Sequence, residues 1–190
     1  MDSITQIDLT FPLHCECQVL LELPNQSYTR FYYPGANKEA GRDGLLVKVV
    51  PQGGEPWIGC FGFGDTSGPT KVYSSPQKGM VCVVSRGDGY IVSVEDPTQY
   101  ERVKLCPILG AYPVSEQNLI VFHNFTDFVA YGVKGLAWRS KRISYDGIKV
   151  DRLEDGFLFG QAWDAPTGKD VCFRLDLRTG IHEGGSYPSD

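Results

Sequence analysis

The sequence predicts a nearly all-β protein. Three observations carry that reading: a period-two alternation of apolar residues near each end of the chain, short apolar runs bounded by Gly, Pro and Asp-Gly turn signals, and a hairpin unit that recurs about every 38 residues. Helical periodicity is nearly absent, and 97–105 holds one or two helical turns at most. With 190 residues and 42% apolar composition, the chain is expected to form one β-rich domain over 1–190 without disulfides or metals to hold it.

The first element is a strand over 13–23. Leu13, Cys15, Cys17, Val19, Leu21 and Leu23 alternate with His14, Glu16, Gln18, Leu20 and Glu22, which places the two sets on opposite faces. A second strand over 28–33 completes an N-terminal strand pair within 1–43, positioned to close a sheet or cover a bare edge. Repeated hairpin units then fill 44–185. An apolar strand begins just after Gly44, Gly79, Asn118 and Gly156, at intervals of 35, 39 and 38 residues. Three units share one plan of strand, polar turn, strand, short turn and third strand. They run 80–84, 90–94 and 100–103, then 119–122, 128–131 and 136–139, then 157–159, 171–175 and 181–183. In the last unit Val171, Phe173, Leu175 and Leu177 alternate with Cys172, Arg174, Asp176 and Arg178.

The stretches 129–139 (VAYGVKGLAWR) and 173–180 (FRLDLRTG) resemble blade hairpins of β-propeller proteins, especially the quinoprotein-type repeats, in a likeness that covers about 44–185. The resemblance implies a small or partial propeller of sheets that bury their faces by stacking on their neighbours. A β-sandwich is the alternative architecture.

Composition narrows the functional classes. The longest apolar runs, such as 80–84 and 119–122, are of strand length, so no membrane-spanning helix is expected. Residues 1–5 carry no basic region and no apolar stretch follows, which makes a cytoplasmic location the expectation. Six cysteines without framework spacing are then expected to be reduced and mostly buried. A formal charge of −5 argues against a nucleic-acid partner and suits a cationic one.

Candidate sites are few. His14-Cys15-Glu16-Cys17 has the ligand types of a metal site, but the alternation turns His14 and Glu16 away from the cysteines, and no cysteine pair has zinc-knuckle spacing. Neither a metal nor a cofactor is expected. Three histidines offer little for acid-base chemistry: His123 and Asp127 flank a turn that the aspartate would cap, and His182 reads as an exposed hairpin end. The glycine-rich 59–68 lacks the Gly-Lys-Ser/Thr ending of a phosphate loop. It either presents Trp57, Phe61, Phe63 and Asp65 to a partner or is a strand with its aromatics in the core. The basic run 138–142 reads as a charge-guarded strand edge. Trp163 and Asp164 precede the longest turn between paired strands, either as recognition residues or as a core tryptophan and a turn-initiating aspartate.

These features favour a non-catalytic protein-binding module with no assigned catalytic residue. A bacterial immunity or inhibitor protein covering a basic partner surface is its concrete form. The alternative is a hydrolase or small-ligand-binding protein whose site, at the mouth of a propeller-like fold, would use Asp65, His123, Asp127, Asp164 or His182. The strand phase makes a first prediction. Cys17→Asp or Val19→Asp should cost several kcal/mol in denaturant unfolding, whereas Glu16→Ala or Gln18→Ala should stay within about 0.5 kcal/mol of wild type. Equal losses on both faces would show the strand buried on two sides.

Overall fold

The computed structural model describes residues 7–36, 43–64 and 68–186 and is all-β, as the sequence predicts. The chain divides into two compact units, Met1–Ile108 and Leu109–Asp190. The first contains β1 (Ile7–Asp8), β2 (Cys15–Leu20), β3 (Thr29–Tyr33), β4 (Gly44–Pro51), β5 (Trp57–Gly62), β6 (Thr70–Ser74), β7 (Met80–Ser85), β8 (Asp88–Ser93) and β9 (Tyr100–Arg102). The second contains β10 (Gly110–Val114), a 3-10 turn (Ser115–Gln117), β11 (Leu119–His123), β12 (Phe128–Gly132), β13 (Gly135–Arg139), β14 (Ile148–Glu154), β15 (Phe157–Asp164), β16 (Lys169–Asp176) and β17 (His182–Gly184).

The strands that open the four repeats, β4, β7, β11 and β15, begin within a residue of where the spacing puts them. Three sheets are antiparallel four-strand meanders in the orders β6-β7-β8-β9, β10-β11-β12-β13 and β14-β15-β16-β17, with β1 added in parallel to β6 in the first. The fourth sheet runs β2-β4-β5-β3. Four strands per sheet is the blade-like number, and no sheet closes into a barrel. The sequence pattern shows only three strands per unit because the opening strand of each meander is masked. Pro113 interrupts β10, where it pairs with Ile120, and β14 carries Lys149, Asp151, Arg152 and Glu154 with a register shift between Val150 and Arg152.

The N-terminal strands correct two expectations. The strand over 13–23 shortens to β2, leaving Leu21 almost fully exposed at 97%. Its phase holds: Cys15, Cys17 and Val19 pack on the core while Glu16 and Gln18 are exposed. Secondly, β2 and β3 do not pair with each other. They flank the β4–β5 hairpin, β2 antiparallel to β4 and β3 parallel to β5, so each covers one edge of it. Residues 97–105 hold β9 instead of helical turns, and the one helical turn among the described residues is at Ser115–Gln117.

Each unit has its own core. In the first, Tyr33, Val47, Val49, Trp57 and Phe61 of one sheet pack with Val72, Val81, Val83, Tyr90 and Val92 of the other, and Tyr33 stacks on Phe61 at 4.7 Å. In the second, Leu119, Val121, Phe128 and Ala130 meet Leu158, Ala162, Phe173 and Leu175. Trp138 on β13 pins the two sheets of this unit together. Its indole N–H donates to Leu177 O at 2.9 Å, and its ring lies over Gly180, where a Cβ would come within 2.5 Å of it.

That contact is testable. Gly180 has φ of 72°, so Gly180→Ala meets both backbone strain and the Trp138 ring. Gly168, at φ of 63° with nothing within 4 Å, meets strain alone. Gly168→Ala should therefore cost about 1 kcal/mol, and Gly180→Ala about 1–3 kcal/mol more. Thermal melts of the two variants give the difference, and equal losses would remove Trp138 as the pin.

Candidate functional site

Of the residues singled out from the sequence, two belong to the core. Trp57 is 3% exposed, donates its indole N–H to Val94 O at 2.9 Å and meets Phe31 edge-on, while Phe61 is wholly buried on Tyr33. Neither has surface to offer a partner. Phe63 is 42% exposed beside the Arg86 guanidinium, at the rim of an open hollow lined also by Leu21, Leu23, Tyr32 and Leu46. Asp65 lies outside the described residues.

Trp163 is 38% exposed and sits near the end of β15. Its place follows from period two: Leu158, Gly160 and Ala162 face the core, so Phe157, Phe159, Gln161 and Trp163 share the outward face. The neighbouring strands complete this face. Arg174 is paired with Phe159 across β16 and places its guanidinium over Phe157, 4.6 Å from the ring centroid. Arg152 on β14 covers Phe159 at 4.1 Å. Cys172 stands opposite Gln161, exposed, and Asp170 stands opposite Trp163, where it takes an ion pair from Lys149 at 2.9 Å. Glu183 on β17 holds Arg174 at 2.9 Å. The backbone of Trp163 is fixed from the far side: its N–H donates to Gly147 O, and its carbonyl accepts from Ser144 Oγ, Ser186 Oγ and Tyr145 N–H. Asp164 accepts from Thr167 Oγ1 and closes the turn, the structural part the sequence assigns to it.

The histidines are dispersed. His123 does not meet Asp127. Its ring nitrogens lie 3.2 Å from Tyr112 Oη and 2.9 Å from Asn124 O, whereas Asp127 pairs with Arg139 at 2.6 Å. Asn124, not Asp127, caps that turn, accepting from the Thr126 and Asp127 backbone N–H groups. His182 is buried, contrary to the exposed end expected of it, with Nδ1 at 3.1 Å from Gly184 O. In the basic run, Arg139 pairs with Asp127, and Arg142 donates to Ser144 O and Tyr145 O.

The thiols are less buried than expected. Cys60 and Cys82 are buried, Cys15 and Cys17 half-buried, and Cys106 and Cys172 exposed. Burial pushes the Cys82 thiol up to about 12. Among the described residues no three His, Cys, Asp or Glu side chains converge on a metal position, and no helix is long and apolar enough to cross a membrane. A cleft of 220 Å³ in the second unit is lined by Glu116, Gln117, Glu154 and Asp155, and the Gln117 Oε1 is buried without a hydrogen bond.

No protein-family model matches the chain, and no curated protein matches it in sequence.

Sequence reasoning found Trp163 but missed Phe157, Phe159, Arg152, Arg174 and Cys172 as its companions. The signal was present in 157–163, where three large side chains alternate with Leu158, Gly160 and Ala162.

Burial lowers both His123 and His182 from the ordinary histidine value, which favours their neutral form in the folded chain. The unfolded chain then binds more protons as pH falls below about 6.5. Stability should be undiminished above that pH and decline below it, towards the lowered folded-state values. Unfolding free energies from pH 8 to 5 should show the decline, and His123→Gln with His182→Gln should flatten it. Imidazole NMR midpoints at or above the unfolded value would overturn this.

Proposed function

We propose that the protein is a non-catalytic binding module whose contact surface is the outward face of the β14-β15-β16-β17 sheet, with Trp163 at one end of its aromatic row. One observation carries the reading: Phe157, Phe159 and Trp163 stand in a row on the solvent side of a central strand, two of them beneath guanidinium groups. Tryptophan, arginine and neighbouring aromatics are the side chains that dominate protein interfaces, because they bury much area at little conformational cost. A strand in the middle of its sheet holds them rigid, so little ordering remains to oppose binding.

Charge supports a protein partner. Over 148–184, seven acidic residues stand against five basic ones, and the chain as a whole carries −5. An acidic inhibitor that covers a basic surface, such as the active site of a toxin, is the form of module this balance suits.

The test begins with what co-purifies with a tagged chain from its native cell, reconstituted with purified partner. Trp163→Ala with Asp164→Ala should abolish capture, since a lost hot-spot aromatic costs about 2–4 kcal/mol of binding, and the melting temperature should stay within a few degrees. Cys172 supplies an independent probe at the centre of the face. A bulky maleimide on it should block the complex in wild type and do nothing to Cys172→Ser. A partner that binds the maleimide-labelled chain unchanged would place the contact elsewhere.

A further inference from the structure

The outward face of the β14-β15-β16-β17 sheet repeats one unit of ring, guanidinium and carboxylate. Phe159 lies beneath Arg152, 4.1 Å from the ring centroid, and Glu154 holds that guanidinium at 3.0 Å. Phe157 lies beneath Arg174 at 4.6 Å, and Glu183 holds this second guanidinium at 2.9 Å. Trp163, the third ring of the row, has a carboxylate beside it in Asp170, which stands opposite it on β16. Among the described residues no Lys or Arg lies over its indole. We propose that Trp163 and Asp170 together receive an arginine side chain of the partner, a specificity that rests on the contact face assigned above.

The register leaves room for it. On β14 the residue opposite Phe159 is Arg152, whereas the neighbour of Trp163 on that side is Gly147, whose carbonyl accepts from the Trp163 N–H at 2.9 Å. Gly147 has no side chain to lay over the indole, and Trp163 stays 38% exposed. On the other side, opposed residues of an antiparallel pair have Cβ atoms about 5 Å apart. A cation within about 6 Å of the indole centroid therefore also reaches the Asp170 carboxylate. Lys149 takes Oδ2 of that carboxylate at 2.9 Å, and Oδ1 accepts from no described residue. The Lys149 side chain is 71% exposed, so its ion pair is weak and an incoming cation can share the carboxylate or take it over.

Arginine suits this place better than lysine. A planar guanidinium stacks on a ring with one face while its N–H edge donates to a carboxylate. The sheet itself shows the preference: both cations over its phenylalanines are guanidiniums, whereas Lys149 lies on a carboxylate.

The probe is the peptide acetyl-Gly-Arg-Gly-amide, read on the full chain by the indole 1H–15N signal of Trp163, which Trp163→Phe identifies by its loss. The Trp57 and Trp138 indoles, bonded to Val94 O and Leu177 O, are internal controls. The arginine peptide should shift the Trp163 signal saturably and leave the other two in place. A citrulline peptide, of the same shape without the charge, should bind roughly tenfold more weakly. Both Asp170 and Lys149 are exposed, so their variants should keep the wild-type circular dichroism. Asp170→Asn should weaken arginine binding a few-fold, and Lys149→Met, which frees the carboxylate, should tighten it a few-fold. Equal affinity for the two peptides, no saturable shift at Trp163, or an affinity that follows neither Asp170→Asn nor Lys149→Met overturns the proposal. The contact face is tested apart from it with the co-purified partner. Capture lost in Trp163→Ala but unchanged in Asp170→Asn upholds the face and overturns the arginine, whereas capture that survives Trp163→Ala overturns both.

Discussion

The Phe173 ring lies across Gly160, and the arrangement of the second unit follows from that contact. A Cβ on Gly160 would come within 2.7 Å of the ring and 2.3 Å of the Lys149 carbonyl, so no larger side chain fits on the inward side of β15 there. Phe173 in turn meets Phe128 of the facing sheet at 5.8 Å, with Leu158 and Ala162 filling the space around them. The interior is thus supplied with bulk by the neighbouring strand and the opposite sheet. Strand β15 contributes Leu158, Gly160 and Ala162 inward, and its aromatic residues, Phe157, Phe159 and Trp163, are left on the other face by the pleat.

An outward aromatic row exposes apolar area to water, and the chain offsets this with guanidinium groups. Arg152 and Arg174 lie over the two phenylalanines and keep their charged ends in contact with water and with Glu154 and Glu183. Each exposed ion pair adds little stability. Their effect is to cover Phe157 and Phe159 while leaving Trp163, at the far end of the row, bare. A partner that displaces the arginines from the rings meets a prepared apolar strip, and one that accepts them in place meets a strip of fixed positive groups edged by acids.

Period two made the fold legible. The strand starts at Gly44, Gly79, Asn118 and Gly156 could be read because the strands that follow are apolar enough to separate from the turns between them. The strands β10 and β14 were not legible, since an edge strand is free to carry Pro113, or Lys149 and Asp151, without losing its pairing to one neighbour. The proposed contact surface was hidden for a different reason: Arg152 and Arg174 look like ordinary solvated charges until the register sets them against Phe159. Trp57 and Phe61 decide between the two readings of the glycine-rich stretch: it contains β5, flanked on both sides by strands, where the absence of side chains lets Phe61 fold back over Gly59 into the core.

The two thiols on β2 illustrate why local pattern and chemistry must be read separately. Alternation places Cys15 and Cys17 on the apolar side, which argues for inert buried sulfur, and in a central strand that conclusion would hold. Strand β2 is an edge, so its inward face is covered from one side only, and both sulfurs stay half-buried. The edge position thus leaves a core pattern only partly covered, just as the central position of β15 holds a surface pattern of aromatics rigid between two neighbouring strands.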